Sequence, residues 1–284
     1  MLNIILFALA IGCLFIEASN KALIQVDQEN ISQLIDTQVL KQKDLSNTLI
    51  LLDVDDTLIT HKPGTTLGSS THYYALTDML IHDKKYNKKQ AIDAIDPLLI
   101  EIHKRIPVIV TDEAIPATIK KLRTKGATVF GFTARGNILL TTTLEQLTQL
   151  GIQFSPISSA TLFLKNGLFT VGQSTSKGEA AVALLNELKD SDFSQIIFLD
   201  DKEEHLFSVE KALHGRFKPQ QTLFVHVNVP PFKFNPAKAN QELCDFIEEH
   251  QNESAFKAFF GTNTFAQDVW RDCNNYSASS SNKY

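Results

Sequence analysis

The sequence is poor in cysteine, with only three among 284 residues, at Cys13, Cys244 and Cys273. None of them lies in a Cys/His cluster with the spacing of a zinc site, which argues against a structural zinc domain. If an N-terminal segment containing Cys13 is removed, Cys244 and Cys273 are left. In an oxidising compartment these two could form a disulfide, and two free buried thiols are equally compatible with the sequence.

Positive charge is not in excess either. The chain has 27 Lys and Arg against 32 Asp and Glu, which gives a formal net charge of −5. Because the phosphate backbones of nucleic acids bind to basic surfaces, we do not expect nucleic acid as the main partner. The hydrophobic content of 43% is enough for one sizeable core, or for one core with a small added cap.

The N-terminal apolar run is too short for a comfortable membrane span. Ile4–Ile16 carries no charge and has the length of the hydrophobic part of a secretory signal, although no Lys or Arg precedes it. We predict that residues 1–19 are a signal peptide, cleaved after Ala18 or Ser19. The protein would then be exported, either periplasmic or secreted, and would meet the membrane only during export. The alternatives are an uncleaved anchor and a buried N-terminal helix.

An unbroken apolar run at Leu49–Leu52 is typical of a strand that is buried on both faces of a parallel sheet. Asp53, Asp55 and Thr57 follow at a spacing of two, so their side chains point the same way if the chain stays extended. Two carboxylates held close together are costly without a cation or a shared proton. The carboxyl end of a strand is also where open α/β sheets bind ligands, so this stretch is a candidate site.

A second apolar strand, predicted at Ala127–Phe132, ends at Thr133. A hydroxyl at a strand end beside the first site could donate a hydrogen bond to a bound anion. Arg135 follows two residues later and could help to bind an anion or could form a salt bridge.

An acidic pair, Asp200 and Asp201, comes directly after a third apolar strand, predicted at Gln195–Leu199. Before that strand, Lys177 lies at the predicted start of a helix. Because a helix N-terminus exposes backbone N–H groups, a Lys there is well placed for an anion.

In this order, the four stretches resemble the motifs of the haloacid dehalogenase (HAD) superfamily of phosphohydrolases. The likeness covers roughly Leu49–Val227, and it extends to poorly characterised secreted bacterial HAD-like proteins. The residues that match the motifs are Asp53, Asp55, Thr57, Thr133, Lys177, Asp200 and Asp201.

The resemblance implies a reaction in which the Asp53 carboxylate attacks phosphorus and forms an aspartyl-phosphate intermediate. Asp55 would protonate the leaving group and then deprotonate the attacking water, which requires a raised pKa. Thr133 and Lys177 would bind the phosphoryl group and stabilise its charge.

The resemblance also implies Mg²⁺ as cofactor, since magnesium prefers oxygen ligands and retains waters. The implied ligands are the Asp53 carboxylate, the backbone carbonyl of Asp55 and the Asp200 carboxylate. Asp201 and Arg135 are possible supporting residues.

The predicted fold is an α/β class with an open, parallel, Rossmann-like HAD core, whose central strand is Leu49–Asp53. A helix is expected within residues 21–45, and an Asn-Gly hairpin at Thr161–Thr170. The predicted core comprises residues 20–58 and 111–235, with a small, mostly helical cap insertion at 59–110. A C-terminal helical segment at 236–273 and a disordered tail at 274–284 follow.

The leading prediction is therefore a Mg²⁺-dependent phosphatase that hydrolyses small phosphomonoesters. The alternative is a secreted interaction or effector protein on a HAD scaffold, with little or no catalysis.

Overall fold

A computed structural model describes residues 23–281, except for residues 63, 160, 173–174, 189–192 and 232. The predicted signal peptide at residues 1–19 lies outside the described residues. A membrane-spanning helix is not found in the part of the chain that the structure describes.

The strands are numbered in chain order. They are β1 (Ile24–Asp27), β2 (Thr48–Leu52), β3 (Ile59–His61), β4 (Val108–Val110), β5 (Thr128–Thr133), β6 (Leu164–Lys165), β7 (Leu168–Thr170), β8 (Gln195–Asp200) and β9 (Thr222–Asn228). The helices are α1 (Ile31–Gln38), α2 (Ser70–His82), α3 (Lys88–Arg105), α4 (Ile115–Thr124), α5 (Leu140–Gln149), α6 (Lys177–Glu187), α7 (Glu203–Leu213), α8 (Pro236–His250), α9 (Ser254–Phe260) and α10 (Thr264–Ser281).

Seven strands form one sheet in the order β1-β9-β8-β2-β5-β7-β6. All neighbouring strands are parallel except the β6/β7 hairpin, so the predicted open parallel α/β fold is confirmed. The central strand is β2, with β5 and β8 as its neighbours, as the apolar runs predicted. The hairpin turn has positive φ at both Asn166 and Gly167, which is the type I′ geometry expected for Asn-Gly.

The sheet is covered by helices on both faces, and β2 contributes to both interfaces. Ile50 and Leu52 pack into a cluster with α1, α4 and α5, whereas Leu49 and Leu51 pack into a second cluster with α6 and α7. All five residues of β2 are buried. Each such aliphatic side chain contributes about 1.5–3 kcal/mol on full burial, so this strand is strongly fixed in the core.

The helix that was predicted within residues 21–45 begins later than expected. Ile24–Asp27 is instead strand β1, which pairs in parallel with β9 at the edge of the sheet. A four-residue strand is too short to show a clear alternation, and its partner lies about two hundred residues further along the chain. The pairing is therefore not visible in the local pattern.

A two-stranded antiparallel ribbon of β3 and β4 connects the insertion after the first motif to the core. Between these strands lie α2 and α3, in agreement with the helices expected in the cap. Neither strand of the ribbon was predicted, because three residues carry no periodic signal.

The C-terminal helices pack on the insertion rather than forming a separate unit. One apolar cluster combines residues of α2 and α3, such as Leu76 and Leu98, with Leu243 and Phe246 of α8 and Phe256 of α9. We call α2, α3 and α8–α10 together the composite cap. Its helix α10 continues to Ser281, and thus enters the segment 274–284 that was expected to be disordered.

A disulfide joins Cys244 of α8 to Cys273 of α10, with the two Cα atoms 5.7 Å apart. The sequence left this pairing open. The disulfide connects the first and the last of the three C-terminal helices of the composite cap.

Candidate active site

The three predicted strand-end residues lie side by side at the carboxyl edge of the sheet. Leu52 is in register with Leu199 on one side and with Gly131 on the other. Asp53 therefore lies between Asp200 at the end of β8 and Thr133 at the end of β5. The three residues are at most 5% exposed, so their polar groups are fixed by the sheet and not by a mobile loop.

Lys177 lies beneath this edge and pairs with two carboxylates at once. Its Nζ is 2.5 Å from Asp53 Oδ1 and 2.6 Å from Asp200 Oδ2, and the residue is only 2% exposed. The rings of Phe132 and Phe198 each have their centroid 5.6 Å from the ammonium group, where cation–π attraction adds to its stabilisation. Burial alone would lower the pKa of Lys177, but the two carboxylates outweigh it and raise the pKa, so the side chain is charged.

Local sequence positions Lys177 at the first residue of α6. Ser176 and Glu179 form a reciprocal capping box that fixes the start of the helix. Gly178 follows, and a Cβ atom at that position would overlap the backbone oxygen of Ser208 in α7. The missing side chain thus lets α6 and α7 approach closely, which brings Lys177 to the carboxylates.

Asp53, Asp200 and Asp201 form the cluster that could hold a metal ion. One carboxylate oxygen from each lies within 4.8 Å of the others. Burial raises the pKa of Asp53 to about 6, despite the neighbouring Lys177. Burial, together with the charges of Asp53 and Asp200, raises the pKa of Asp201 to about 9.

Asp200 is stabilised in its charged form. Burial opposes ionisation, but Lys177 and His205 outweigh it and lower the pKa of Asp200. The Nδ1 atom of His205 is 3.0 Å from Asp200 Oδ1, and the backbone N–H of Lys202 donates to the same oxygen at 2.9 Å. The sequence analysis missed His205, for which its place in the first turn of α7 was the only signal.

The donor set fits a small hard cation. Three carboxylates each bring one oxygen to the same place, and oxygen is the ligand that Mg²⁺ prefers. Asp201, predicted only as a supporting residue, belongs to this cluster as fully as Asp53 and Asp200. The Asp55 side chain does not belong to it, and the role of its carbonyl oxygen stays a prediction.

Asp55 is bound to Arg135 by two hydrogen bonds, from Nε to Oδ2 at 2.8 Å and from Nη2 to Oδ1 at 2.6 Å. Burial favours the protonated acid, but the Arg135 guanidinium outweighs it and holds the pKa of Asp55 well below its usual range. The expectation of a raised pKa at Asp55 is therefore wrong for the protein without substrate. Neighbouring carboxylates were expected to supply that rise, whereas the nearest strong charge is the guanidinium.

Arg135 also connects the core with the composite cap. Its Nη1 donates to Thr143 Oγ1 at 3.0 Å and to Gln146 Oε1 at 2.8 Å, and Gln146 Nε2 donates to the backbone oxygen of His103 in α3 at 2.8 Å. Of the two roles left open for Arg135, the salt bridge is the one observed.

The chain does not stay extended after Asp53. Asp56 has a left-handed backbone with φ of 59°, and Leu58 and Ile59 donate back to the carbonyl oxygen of Val54. Thr57 is fully buried, and among the described residues no hydrogen bond joins its hydroxyl to Asp53 or Asp55. The tight turn is what directs Asp55 toward Arg135.

A cavity of about 270 Å³ lies between this edge of the sheet and the composite cap. Its floor includes Asp53, Thr133 and Asp201. Its roof carries residues of the cap that the sequence analysis did not identify: Ser69, Tyr73, Tyr74, Ile92, Asp96, Leu99 and His103. Their only sequence signal was membership of the predicted insertion, because the side that a helix turns toward the core is decided by packing.

The chain belongs to the family described as "Protein of unknown function (DUF2608)", whose model matches residues 27–229. No curated protein matches the chain.

Solved structures with a likeness to the chain include two effector proteins from Legionella pneumophila. The HAD domain of Lem4 is 14% identical, with 71% of this chain and 95% of that chain covered and a TM-score of 0.34. Ceg4, solved with an N-terminal yeast Hog1p sequence, is 17% identical, with 72% and 95% covered and a TM-score of 0.37. A HAD family enzyme from Bacteroides thetaiotaomicron, solved as a magnesium complex, is 13% identical, with 68% and 98% covered and a TM-score of 0.31.

Proposed function

We propose that the protein is a Mg²⁺-dependent phosphatase that hydrolyses small phosphomonoesters through an aspartyl-phosphate on Asp53. The observation that carries this proposal is the meeting of Asp53, Thr133, Lys177 and Asp200 at one sheet edge beneath a cavity. These four residues come from four separate stretches of the chain.

In the first step, an oxygen of the Asp53 carboxylate attacks phosphorus and the bond from phosphorus to the ester oxygen breaks. The leaving oxygen takes a proton from Asp55. In the second step, a water molecule attacks the phosphorylated Asp53 and gives its proton to Asp55, which releases phosphate and restores the carboxylate. Thr133 donates its hydroxyl to a phosphoryl oxygen, and the ammonium group of Lys177 offsets the negative charge.

The cation would be held by the carboxylates of Asp53, Asp200 and Asp201. An Mg²⁺ ion held there would supply positive charge that offsets the charge of the phosphoryl group. The convergence of these three carboxylates within 4.8 Å supports this assignment.

The ion pair with Arg135 keeps Asp55 in the protonation state that the second step requires, but not in the state that the first step requires. As an ionised carboxylate, Asp55 is prepared for the second step, in which it accepts a proton. Before the first step it must gain a proton. We infer that a phosphoryl group bound near Arg135 draws the guanidinium away from Asp55 and thereby favours protonation of the acid.

We further propose that the protein is exported, to the periplasm or out of the cell. Disulfides persist in oxidising compartments and are rare in the cytosol, so the Cys244–Cys273 bond supports export. Sequencing the N-terminus of the protein from its native host tests this. A start near Ala18 or Ser19 is expected, and an intact Met1 would favour an anchor instead.

A screen of phosphomonoesters with and without Mg²⁺ tests the catalytic proposal. We expect phosphate release that depends on Mg²⁺ and is absent from an Asp53→Asn variant of unchanged thermal stability. The absence of turnover with every ester would favour the alternative, an interaction protein on the same scaffold.

A further inference from the structure

The roof of the cavity contains a carboxylate that the proposed chemistry does not use. Asp96 lies on α3, and its side chain lines the cavity. Its Oδ2 atom is 3.9 Å from the position that a Cβ atom on Gly136 would take. Gly136 follows Thr133 by three residues, so Asp96 faces the loop next to the predicted phosphoryl site, where a leaving group would extend.

Asp96 has no hydrogen bond or ion pair from its side chain to any residue within the described ranges. Asp93, one turn earlier on α3, is different, since it is exposed and pairs with Lys89 at 2.5 Å. The surroundings of Asp96 in the cavity include the apolar side chains of Ile92, Leu99 and Leu139. Burial, with a smaller contribution from Asp93, raises the pKa of Asp96 to about 6.

A carboxylate in such surroundings is stabilised by a cation, and no basic side chain among the described residues pairs with it. Arg135, the nearest basic residue along the loop, is bound to Asp55. Lys202, which also lines the cavity, has its ammonium group 5.9 Å from the ring centroid of Tyr74. A positively charged ligand would therefore supply the missing partner of Asp96.

We propose that Asp96 selects phosphomonoesters whose leaving group carries a protonated amine, that is, small aminoalkyl phosphates. This inference rests on the proposed phosphatase function and names its substrate class. The phosphoryl group would lie against Asp53 and Thr133, and the ammonium group would donate a hydrogen bond to Asp96. The cavity of about 270 Å³ is slightly smaller than the pockets of drug-sized ligands, roughly 300–1,000 Å³, and is of a size to hold a phosphomonoester with a short leaving group.

The test compares O-phosphoethanolamine with n-propyl phosphate, which has a methyl group in place of the ammonium. For the wild type we expect kcat/KM to be about 10- to 100-fold higher for the amine, the range of a hydrogen bond to a charged group. Asp96→Asn should remove most of this preference, mainly by raising KM for O-phosphoethanolamine, and should leave n-propyl phosphate almost unchanged. Asp93→Asn is the matched control and should behave as the wild type.

A third substrate, phosphocholine, separates charge from hydrogen bonding. Its quaternary ammonium carries the charge without an N–H donor, so a smaller preference is expected over its neutral isostere 3,3-dimethylbutyl phosphate. Equal rates for the amine and for n-propyl phosphate in the wild type would overturn the proposal. An equal loss on both esters in Asp96→Asn would overturn it too, because it would indicate a structural role.

Binding separates this inference from the proposed function. Calorimetric titration of the Asp53→Asn protein with the same two esters, in the presence of Mg²⁺, needs no turnover. Tighter binding of O-phosphoethanolamine that disappears in Asp53→Asn/Asp96→Asn supports the role of Asp96 even if no ester is hydrolysed. Hydrolysis of both esters without any preference, together with equal binding, would reject the amine while retaining the phosphatase.

Stability provides a second measurement on the same variants. Because the fold disfavours the charged form of Asp96, replacing it with Asn should maintain or raise the thermal midpoint above pH 6. A marked decrease would instead identify Asp96 as a structural residue and contradict the proposal.

Discussion

The floor and the roof of the cavity are built in different ways. The floor consists mainly of strand ends, and Asp53, Thr133 and Asp200 each follow a run of mostly apolar residues in the sequence. The roof consists of helices of the insertion 59–110, which share one apolar cluster with the C-terminal helices of residues 236–281. The comparison shows that the positions of Asp53, Thr133 and Asp200 are fixed by sheet register, whereas the shape of the cavity depends on long-range packing.

The insertion and the C-terminal helices are held together by polar contacts as well. Glu242 of α8 accepts hydrogen bonds from the backbone N–H of Thr66 at 2.7 Å, from the Thr66 hydroxyl at 2.8 Å and from the backbone N–H of Leu67 at 3.1 Å. Arg105 of α3 pairs with Glu253 at 2.9 Å. The C-terminal segment thus supports the helices that close the cavity.

The largest effect is expected from Lys177→Met, which removes the buried ion pairs in the floor of the cavity. Removing the ammonium group leaves Asp53 and Asp200 buried without their shared cation, and breaking a buried pair costs roughly 3–5 kcal/mol. We expect loss of turnover together with a lower free energy of unfolding, measured by chemical denaturation. Lys120→Met, at an exposed position on α4, is the control, and equal stability of the two variants would contradict the ion-pair account.

Asp55→Asn is expected to lower the turnover rate by about 10²–10⁴-fold, the usual contribution of general acid–base catalysis. The loss should be smaller for aryl than for alkyl phosphates, since a phenolate leaves without protonation. Asp56→Asn is the control, because Asn accepts the left-handed backbone of that position. An equal loss on aryl and alkyl esters would argue against the role of Asp55 as an acid.

The floor was largely predictable from the sequence, for a physical reason. Parallel strands of one sheet present their carboxyl ends together, so Asp53, Thr133 and Asp200 could be placed near one another before their distances were known. The pairing of Asp55 with Arg135 could not be predicted, because it depends on the left-handed turn at Asp56.

For the roof, the sequence predicted the presence of helices but not how they pack. Helices were predicted at Tyr73–Met79 and Lys88–Ile102, whereas α2 and α3 run from Ser70 to His82 and from Lys88 to Arg105. The positions of Asp96 and His103 in the cavity depend on how α3 packs against helices from the C-terminal segment. That packing joins residues more than a hundred positions apart, and no local pattern records it.

Removing the disulfide tests whether the composite cap is a unit distinct from the sheet edge below the cavity. Cys244→Ser with Cys273→Ser opens a loop of 29 residues, and the chain-entropy account gives a loss of roughly 3–4 kcal/mol. We expect a lower thermal midpoint and a higher KM, with Mg²⁺ affinity unchanged because the metal cluster lies in the floor. Wild-type protein treated with a reductant should show the same changes in thermal midpoint and KM. An unchanged thermal midpoint in both the reduced wild type and the double variant would contradict the view that the disulfide stabilises the composite cap.

The smallest effect expected is a pH-dependent stabilisation of the floor by Mg²⁺. The pKa values of Asp53 and Asp201 are raised to about 6 and about 9, so their contribution to stability is present at low pH and is lost as pH rises through those values. Metal binding requires the ionised carboxylates, and at 100 times its Kd a ligand stabilises by about 2.7 kcal/mol. The rise in thermal midpoint on adding Mg²⁺ should therefore be larger at pH 9 than at pH 6.

An Asp201→Asn variant is the control for this measurement and should show a smaller dependence on pH. A stabilisation of equal size at both pH values in the wild type would show that protons and metal do not compete for these carboxylates.

The central claim is that Asp53 carries the phosphoryl group during turnover. The direct test is to quench the protein in acid during hydrolysis of an aryl phosphate with Mg²⁺, and to map the modified residue by mass spectrometry. The account predicts phosphate on Asp53 in the wild type, more of it in Asp55→Asn, and none in Asp53→Asn, which should also lack turnover. Turnover in Asp53→Asn, or phosphate on another residue such as Asp201, would contradict it.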